Sequence, residues 1–351
     1  MNKKIIIYFF SACAFVSCKV DPKVNTPLPS DNLVQLVPQD WPQPNYKFED
    51  NGITEDRFIL GRSLFYETLL SKDNSISCGS CHQNFAAFAN ADHKFSHGVS
   101  IGGVERIGTR NSPGLFNLAW HTSFMHDGGS NHIEMQPLGP ITNTLEMAED
   151  INSVIAKLQA TAKYKSLFKS AYDDETVTGQ RMLKALAQFM GLIYSNNSKF
   201  DYYKRHEKNV ALTEEEHRGY DLFQAHCNSC HKEPLFSDFE FRNNGLPVNP
   251  SINDSGREHI TARSEDRYKF KTPSLRNIAL TYPYMHDGRF ATLELCLDHY
   301  TNPAKNTVNL DPSLTNPLPL SAQDKKDIIA FLNTLTDYEF IKDKRFADPN
   351  F

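Results

Sequence analysis

The stretch Cys227-Asn228-Ser229-Cys230-His231 repeats the spacing of an earlier stretch, Cys78-Gly79-Ser80-Cys81-His82. Both follow the pattern C-x-x-C-H, in which two thiols add to the two vinyl groups of one porphyrin and the next imidazole binds its iron. A redox-active dithiol or half of a zinc site would also use paired cysteines, but neither explains a histidine directly after both pairs. The sequence therefore predicts two covalently bound haem c groups, which use four of the seven cysteines.

The two motifs belong to a longer internal repeat. His126 lies thirteen positions after Pro113, and His286 lies thirteen positions after Pro273. The matching segments are Gly61–Phe65 with Gly219–Phe223, Ser112–Leu115 with Thr272–Leu275, and Met125–Gly128 with Met285–Gly288. We interpret this pattern as one haem domain that has been duplicated.

Helical periodicity dominates the segments around the motifs. Apolar residues recur at a spacing near 3.6 in residues 150–171 and 180–194, and Thr213 and Ser321 have the character of helix N-caps. Alternating strand patterns are almost absent. The sequence predicts a mostly α fold of two tandem cytochrome c-like haem domains, at 51–205 and 206–345. Long loops are expected at 85–111 and 232–271.

The first eighteen residues have the composition of an export signal. A short positive start is followed by an apolar core from Ile5 to Phe10, too short to span a bilayer. Ser17 before Cys18 resembles the lipobox of bacterial lipoproteins, and ordinary secretion with cleavage nearby is the alternative. Residues 19–50 are polar and rich in proline, as expected of a flexible tether. We therefore expect a periplasmic or cell-envelope protein, in contact with the membrane only through a lipid anchor.

The net charge of −5, without a basic tract, argues against nucleic acid as a partner.

Four further segments complete a recognisable pattern. They are Arg110-Asn111-Ser112-Pro113, Leu138-Gly139-Pro140, Leu145-Glu146-Met147, and the block from Lys271 to Asn277 that leads to Pro283-Tyr284-Met285-His286-Asp287-Gly288. With both haem motifs, they make the chain resemble the bacterial dihaem cytochrome c peroxidases and their MauG-type relatives, from Thr54 to Leu335.

The resemblance implies reduction of hydrogen peroxide to water, with electrons from a small cytochrome c or cupredoxin. One alternative is a MauG-type oxidase, which uses peroxide to oxidise a protein or an organic substrate. A second alternative is a dihaem electron carrier without catalysis. A homodimer is compatible with the resemblance but is not indicated by it.

The resemblance assigns the peroxide reaction to the first haem, on His82. Glu146 then matches the catalytic acid/base, which moves a proton between the two peroxide oxygens, and Gln136 matches a polar residue of the same pocket. Taken alone, Glu146 could instead be a solvated carboxylate or an acid near a helix N-terminus. His97 and His93 are candidates for a distal ligand in the resting state, and an ordinary loop histidine is the alternative.

The second haem, on His231, is expected to store and deliver electrons. Its sixth ligand is a methionine in the peroxidases and a tyrosine in the MauG-type proteins. Counting from Pro283 places Tyr300 at this position, and Met285 and His299 are the alternatives.

Two other features follow from the resemblance. His126 stands where the peroxidases have a tryptophan that relays electrons between the haems, and Trp120 is a candidate substitute. A calcium ion is implied between the domains, bound by the Asn111 side chain and the carbonyl oxygens of Thr281 and Pro283.

Overall fold

The computed structural model of the protein describes residues 33, 37–38, 40–90 and 108–350. The predicted signal peptide with Cys18, most of the predicted tether, His93 and His97 lie outside these residues. No helix in the described part of the chain is long and apolar enough to cross a membrane.

The described chain is mostly helical, as the sequence predicts. The eleven helices found there are α1 (Glu55–Phe65), α2 (Cys78–Cys81), α3 (Leu138–Thr142), α4 (Ile151–Gln159), α5 (Ala162–Tyr172), α6 (Gly179–Gly191), α7 (Lys199–Lys204), α8 (Glu214–His226), α9 (Glu258–Thr261), α10 (Leu293–Tyr300) and α11 (Ala322–Asn333). Two short strands, β1 (Phe241–Arg242) and β2 (Phe270–Lys271), pair antiparallel, with Phe241 opposite Lys271.

The helix starts confirm the two predicted caps. The hydroxyl of Thr213 accepts from the backbone N–H of Glu216, whose carboxylate accepts from the N–H of Thr213 in return. Ser321 and Asp324 form the same capping box at the start of α11.

One helix prediction is wrong in its extent. The periodic segment 150–171 is divided into α4 and α5, because Thr161 has an extended backbone conformation and its hydroxyl donates to the carbonyl oxygen of Leu158. A threonine that bonds to its own preceding turn competes with continuation of the helix. The hydrophobic period continues on both sides and does not reveal the break.

Each half of the chain has a pair of packed helices that cross at a glycine. Helix α1 packs on α6, and a Cβ at Gly61 would overlap the carbonyl oxygen of Ala185. Helix α8 packs on α11, and a Cβ at Gly219 would overlap the carbonyl oxygen of Asp327. Only glycine allows the two backbones to come this close, so the repeated glycine is explained by packing.

The buried apolar side chains form two separate clusters. Phe65 and Phe189 belong to the first cluster, and Phe223 and Phe331 belong to the second. The clusters interleave along the chain, because Phe340, near the C-terminus, packs in the first cluster. The domain boundaries given above stay predictions.

The two halves are joined by a reciprocal pair of backbone hydrogen bonds. The N–H of Asn111 donates to the carbonyl oxygen of His286 at 2.7 Å, and the N–H of Lys271 donates to that of His126 at 2.7 Å. Asn111 and Lys271 are 160 positions apart, as are His126 and His286. Equivalent positions of the repeat therefore exchange equivalent bonds, which is the arrangement expected of a pseudo-two-fold axis between the halves.

Candidate haem sites and active site

A single large cavity connects the two C-x-x-C-H motifs. Its volume is about 1320 Å³, and its wall includes His82 from the first motif and His231 from the second. Cavities for one small molecule usually have about 300–1,000 Å³. The space is therefore larger than one ordinary ligand requires.

His82 is oriented by two carbonyl groups. Its Nδ1 atom lies 2.8 Å from the carbonyl oxygen of Phe88 and 3.1 Å from that of Pro113. Carbonyl oxygens only accept hydrogen bonds, so Nδ1 carries the proton and Nε2 is left free to bind a metal. Burial lowers the pKa of His82, which favours the neutral imidazole that metals require.

His231 has the same environment in the second half. Its Nδ1 atom lies 3.3 Å from the carbonyl oxygen of Phe236 and 3.1 Å from that of Pro273. Burial also lowers its pKa. Pro113 and Pro273 are equivalent positions of the repeat, so the sequence duplication reproduces the orientation of both imidazoles.

The cysteines and the cavity wall suit covalently bound porphyrins. The cysteines of both motifs, Cys78, Cys81, Cys227 and Cys230, line the cavity, and none of them forms a disulfide. Lys271 also lines it, with its ammonium group donating to the carbonyl oxygen of Ser123 at 2.6 Å. Burial lowers the pKa of Lys271 to about 8, and such a cation matches the carboxylates of a porphyrin. The residues present therefore fit two haem c groups.

Glu146 lies in the cavity wall near the first motif. It follows α3 in a tight turn, in which the Asn143 amide donates to its carboxylate at 2.8 Å and its N–H donates to the Asn143 carbonyl oxygen at 3.0 Å. Burial raises its pKa, and the bond from Asn143 opposes that shift in part. A carboxyl group with a raised pKa can both accept and return a proton near neutral pH.

The other two acids of the described cavity wall are paired with an arginine. Asp254 and Asp127 both bind the guanidinium of Arg110, at 2.6 Å and 2.5 Å respectively. Among these three carboxylates, Glu146 is the one without an arginine partner. The distribution of charge therefore singles it out for proton transfer.

Gln136 also lines this cavity. Its amide nitrogen is 3.8 Å from the sulfur of Met125.

Tyr300 and Met285 both line the cavity on the side of the second motif. Tyr300 ends α10, and burial raises its pKa to about 12. His299, the third candidate ligand, is engaged elsewhere, because its Nε2 atom lies 2.9 Å from the carbonyl oxygen of Asn244. The geometry leaves Tyr300 and Met285 as the two candidates that face the cavity.

His126 lies where the two halves meet. Its Nε2 atom is 2.8 Å from the carbonyl oxygen of Asn111, and burial lowers its pKa to about 4. Nearby, the ring of His286 stacks on Phe270 with centroids 3.8 Å apart. Trp120 is not part of this contact, because its indole donates to the carbonyl oxygen of Pro42 at 2.7 Å.

Two of the three residues predicted to bind calcium are in contact. The amide nitrogen of Asn111 donates to the carbonyl oxygen of Pro283 at 2.5 Å, and Thr281 lines the same cavity. Within the described residues, no group of three histidine, cysteine or acidic side chains could hold a metal ion. A calcium ion here would depend on amide and carbonyl oxygens.

Sequence reasoning missed Asn244. Its amide nitrogen lies 3.3 Å from the phenol oxygen of Tyr300 and 3.5 Å from the sulfur of Met285. The residue comes from the loop at 232–271, which has no periodicity and no motif that could have pointed to it. Arg110 belongs to the Arg-Asn-Ser-Pro motif, but only the structure shows that it pairs with both Asp127 and Asp254.

Together, the mostly helical fold, the duplicated haem motifs and the Glu146 carboxyl near the first motif define a dihaem c-type redox protein. The sequence profile described as di-haem cytochrome c peroxidase matches residues 55–209.

Relatives match over most of the chain. The methylamine utilization protein MauG of Methylorubrum extorquens is 34% identical over 303 residues, which cover 85% of this chain and 82% of that protein. The cytochrome c551 peroxidase of Nitrosomonas europaea is 33% identical over 288 residues, 80% of each protein. A crystal structure described as a MauG-like protein associated with microbial copper homeostasis superposes with a TM-score of 0.79 and 32% identity, covering 90% of this chain and 99% of that one.

The chain belongs to the di-haem cytochrome c peroxidase family, which includes the MauG proteins. It is therefore a dihaem peroxidase, an oxidoreductase that acts on peroxide, and its family implies two haem c groups.

Proposed function

We propose that this protein reduces hydrogen peroxide to water beside His82, with electrons that enter from a small cytochrome c or cupredoxin through the haem on His231. The observation that carries the proposal is Glu146, a carboxyl without an arginine partner in the cavity wall near the first motif. Tyr300 lies near the second motif, where it is a candidate iron ligand. The first site is therefore suited to the reaction with peroxide, and the second is suited to electron transfer.

The bound haems supply the electrons and the iron position at which peroxide reacts. The protein supplies the proton transfers. The Glu146 carboxylate accepts a proton from one peroxide oxygen and returns it to the other, so that the departing oxygen leaves as water. The Asn143 amide holds the carboxylate in place, and Gln136 supplies a polar group to the same pocket.

A MauG-type oxidase is the second candidate function, and Tyr300 favours it. In this reading, peroxide is used to oxidise a protein or an organic substrate. The similarity to MauG of Methylorubrum extorquens, at 34% identity, supports this reading about as strongly as the 33% identity to the cytochrome c551 peroxidase supports the first.

A steady-state assay of the haem-loaded protein separates the readings. With peroxide and a panel of reduced small cytochromes and cupredoxins, the proposed peroxidase oxidises at least one donor catalytically. Peroxide consumption that occurs only with an added organic or protein substrate would favour the MauG-type reading. Two low-spin haems that do not react with peroxide, even after half-reduction, would identify an electron carrier.

We expect Tyr300→Phe to change the absorption spectrum of the haem on His231, because it removes the phenol oxygen proposed as the iron ligand. Met285→Leu is the matched control and should leave that spectrum unchanged. The comparison is made on the oxidised proteins at equal haem content. If the methionine variant changes the spectrum and the tyrosine variant does not, Met285 is the ligand.

A calcium ion completes the proposal. The Asn111 amide nitrogen donates to the Pro283 carbonyl oxygen in the structure, so the amide must turn its oxygen toward the ion. That oxygen and the carbonyl oxygens of Thr281 and Pro283 would then bind the ion, with water filling the shell. We expect the purified protein to contain one calcium ion per chain by elemental analysis. Removal by a chelator should lower peroxide turnover, and added calcium should restore it. Full activity in protein free of calcium would contradict this part of the proposal.

Export to the periplasm, a lipid on Cys18 and His97 as a resting ligand of the first haem are further parts of the proposal. They follow from the sequence patterns and the family resemblance. Mass spectrometry of the mature N-terminus would distinguish a lipidated Cys18 from ordinary cleavage.

A further inference from the structure

We propose that Asn244 is a positioning residue for the second haem: its amide donates a hydrogen bond to the Tyr300 phenol oxygen and so sets how strongly that oxygen binds iron. This inference rests on the proposed ligation by Tyr300. Asn244 follows β1, in a segment of the chain far from α10 in sequence.

The orientation of the Asn244 amide is determined by its other contacts. The side-chain oxygen accepts from the backbone N–H of Leu246 at 3.3 Å, so the NH₂ end of the amide faces the cavity. That end lies 3.3 Å from the phenol oxygen of Tyr300. The backbone carbonyl of Asn244 accepts from His299 Nε2 at 2.9 Å. Asn244 thus contacts two successive residues of α10, and these contacts hold its amide beside Tyr300.

The contact between the Asn244 amide and the Tyr300 phenol distinguishes the second haem site from the first. At the second centre the amide of Asn244 also lies 3.5 Å from the sulfur of Met285, and at the first centre the amide of Gln136 lies 3.8 Å from that of Met125. Met125 and Met285 are equivalent positions of the repeat, but Gln136 follows its methionine by 11 positions whereas Asn244 precedes its methionine by 41. The two amides therefore come from non-equivalent segments, and the amide–phenol contact occurs at the residue that makes the two haem sites different.

A hydrogen bond to an anionic ligand oxygen reduces the charge that this oxygen donates to the metal. Hydrogen bonds around the ligands are among the factors through which a protein tunes haem potentials. Without the donor, the Tyr300 oxygen should bind ferric iron more strongly, and the ferric state should become more stable relative to the ferrous state. Asn244 is therefore expected to raise the reduction potential of the haem on His231.

We expect Asn244→Leu, which removes the donor at nearly constant size, to lower the midpoint potential of that haem. The expected shift is about tenfold in the reduction equilibrium, or about 59 mV for one electron. The potential of the haem on His82 should stay unchanged. The measurement is a redox titration of the haem-loaded protein, followed through the separate spectra of the two haems.

A double-mutant cycle tests whether Asn244 acts through the tyrosine. In a Tyr300→Phe background, Asn244→Leu should produce no further shift, because the hydrogen-bond acceptor is already absent. Met285→Leu, which removes the other acceptor of the same amide, should leave the potential unchanged in an otherwise unaltered protein.

Three outcomes would overturn the inference. They are an unchanged or raised potential in Asn244→Leu, an equal shift in the Tyr300→Phe background, or an equal shift at both haems, which would indicate a general structural effect. If Tyr300→Phe itself leaves the spectrum of the second haem unaltered, the proposed ligand is wrong. That failure is recognisable without reference to Asn244.

Discussion

Glu146→Gln is expected to lower the turnover of peroxide by about 10² or more, the range typical of lost general acid–base catalysis. The amide keeps the shape of the side chain and can still meet Asn143, but it cannot take up and return a proton. Haem content should stay at two per chain, because Glu146 has no part in attachment. The measurement is kcat with a saturating reduced donor, set against haem content from the absorption spectrum.

The pH dependence gives a second test of the same carboxyl. Burial raises the pKa of Glu146, and the carboxylate is the form that accepts the first proton. Activity should therefore fall as the pH drops through that raised pKa, at a pH above the ordinary glutamate value of about 4.3. In Glu146→Gln the acid limb of the rate profile should disappear. An unchanged acid limb would assign it to another group.

Glu149→Gln is the matched control. Glu149 is three positions further along the same segment, but it pairs with Lys157 and bonds to the N–H of Asp150 instead of lining the cavity. The same chemical change there should leave turnover within about twofold of the unaltered protein, because Glu149 does not line the cavity. If the two variants lose activity equally, Glu146 has no special role.

The sequence predicted the parts of this protein that depend on local pattern. The helix caps at Thr213 and Ser321, the mostly α fold and the family follow from residues that are neighbours in the chain. The sequence also predicted two haem sites, and a cavity lined by residues of both C-x-x-C-H motifs is consistent with that prediction. The break between α4 and α5 does not follow, because a single side-chain bond at Thr161 overrides a hydrophobic period that runs through it.

The sequence could not show how distant charges and amides are paired. The family motif distinguishes Glu146, but only the fold shows that Asp127 and Asp254 both pair with Arg110. Asn244 is likewise one asparagine among many until the loop after β1 places it against Tyr300. These pairings depend on tertiary contacts between residues up to 144 positions apart, for which a single sequence carries no signal.

Arg276→Met is expected to destabilise the folded protein by about 3–5 kcal/mol, the cost of leaving a buried charge without its partner. The Arg276 side chain is 1% exposed and binds the carboxylate of Asp201 through two bonds of 2.8 Å. It also donates to the carbonyl oxygen of Pro234 and packs over the ring of Trp41. Urea unfolding of the haem-loaded protein, followed by circular dichroism, measures the change.

Two contributions to the destabilisation by Arg276→Met can be separated: the unpaired charge of Asp201 and the lost packing of the arginine side chain. Adding Asp201→Asn to Arg276→Met removes the orphaned charge and keeps an oxygen to cap α7, so the double variant should be more stable than Arg276→Met alone. Arg181→Met is the control, because Arg181 binds Asp174 through the same two-pronged geometry on the surface. It should have little effect, since exposed ion pairs contribute little. Equal destabilisation by the two methionine variants would contradict the argument.

The ion pair between Arg276 and Asp201 should also make the stability of the folded protein depend on pH. Burial alone would raise the pKa of Asp201, but Arg276 and Ser198 more than offset it, and the net pKa lies below the ordinary value. The stabilisation is therefore complete above about pH 4 and is lost as the pH falls through the lowered pKa. Because Arg276 also packs on Trp41, it links the segment that precedes α1 to the second half of the chain.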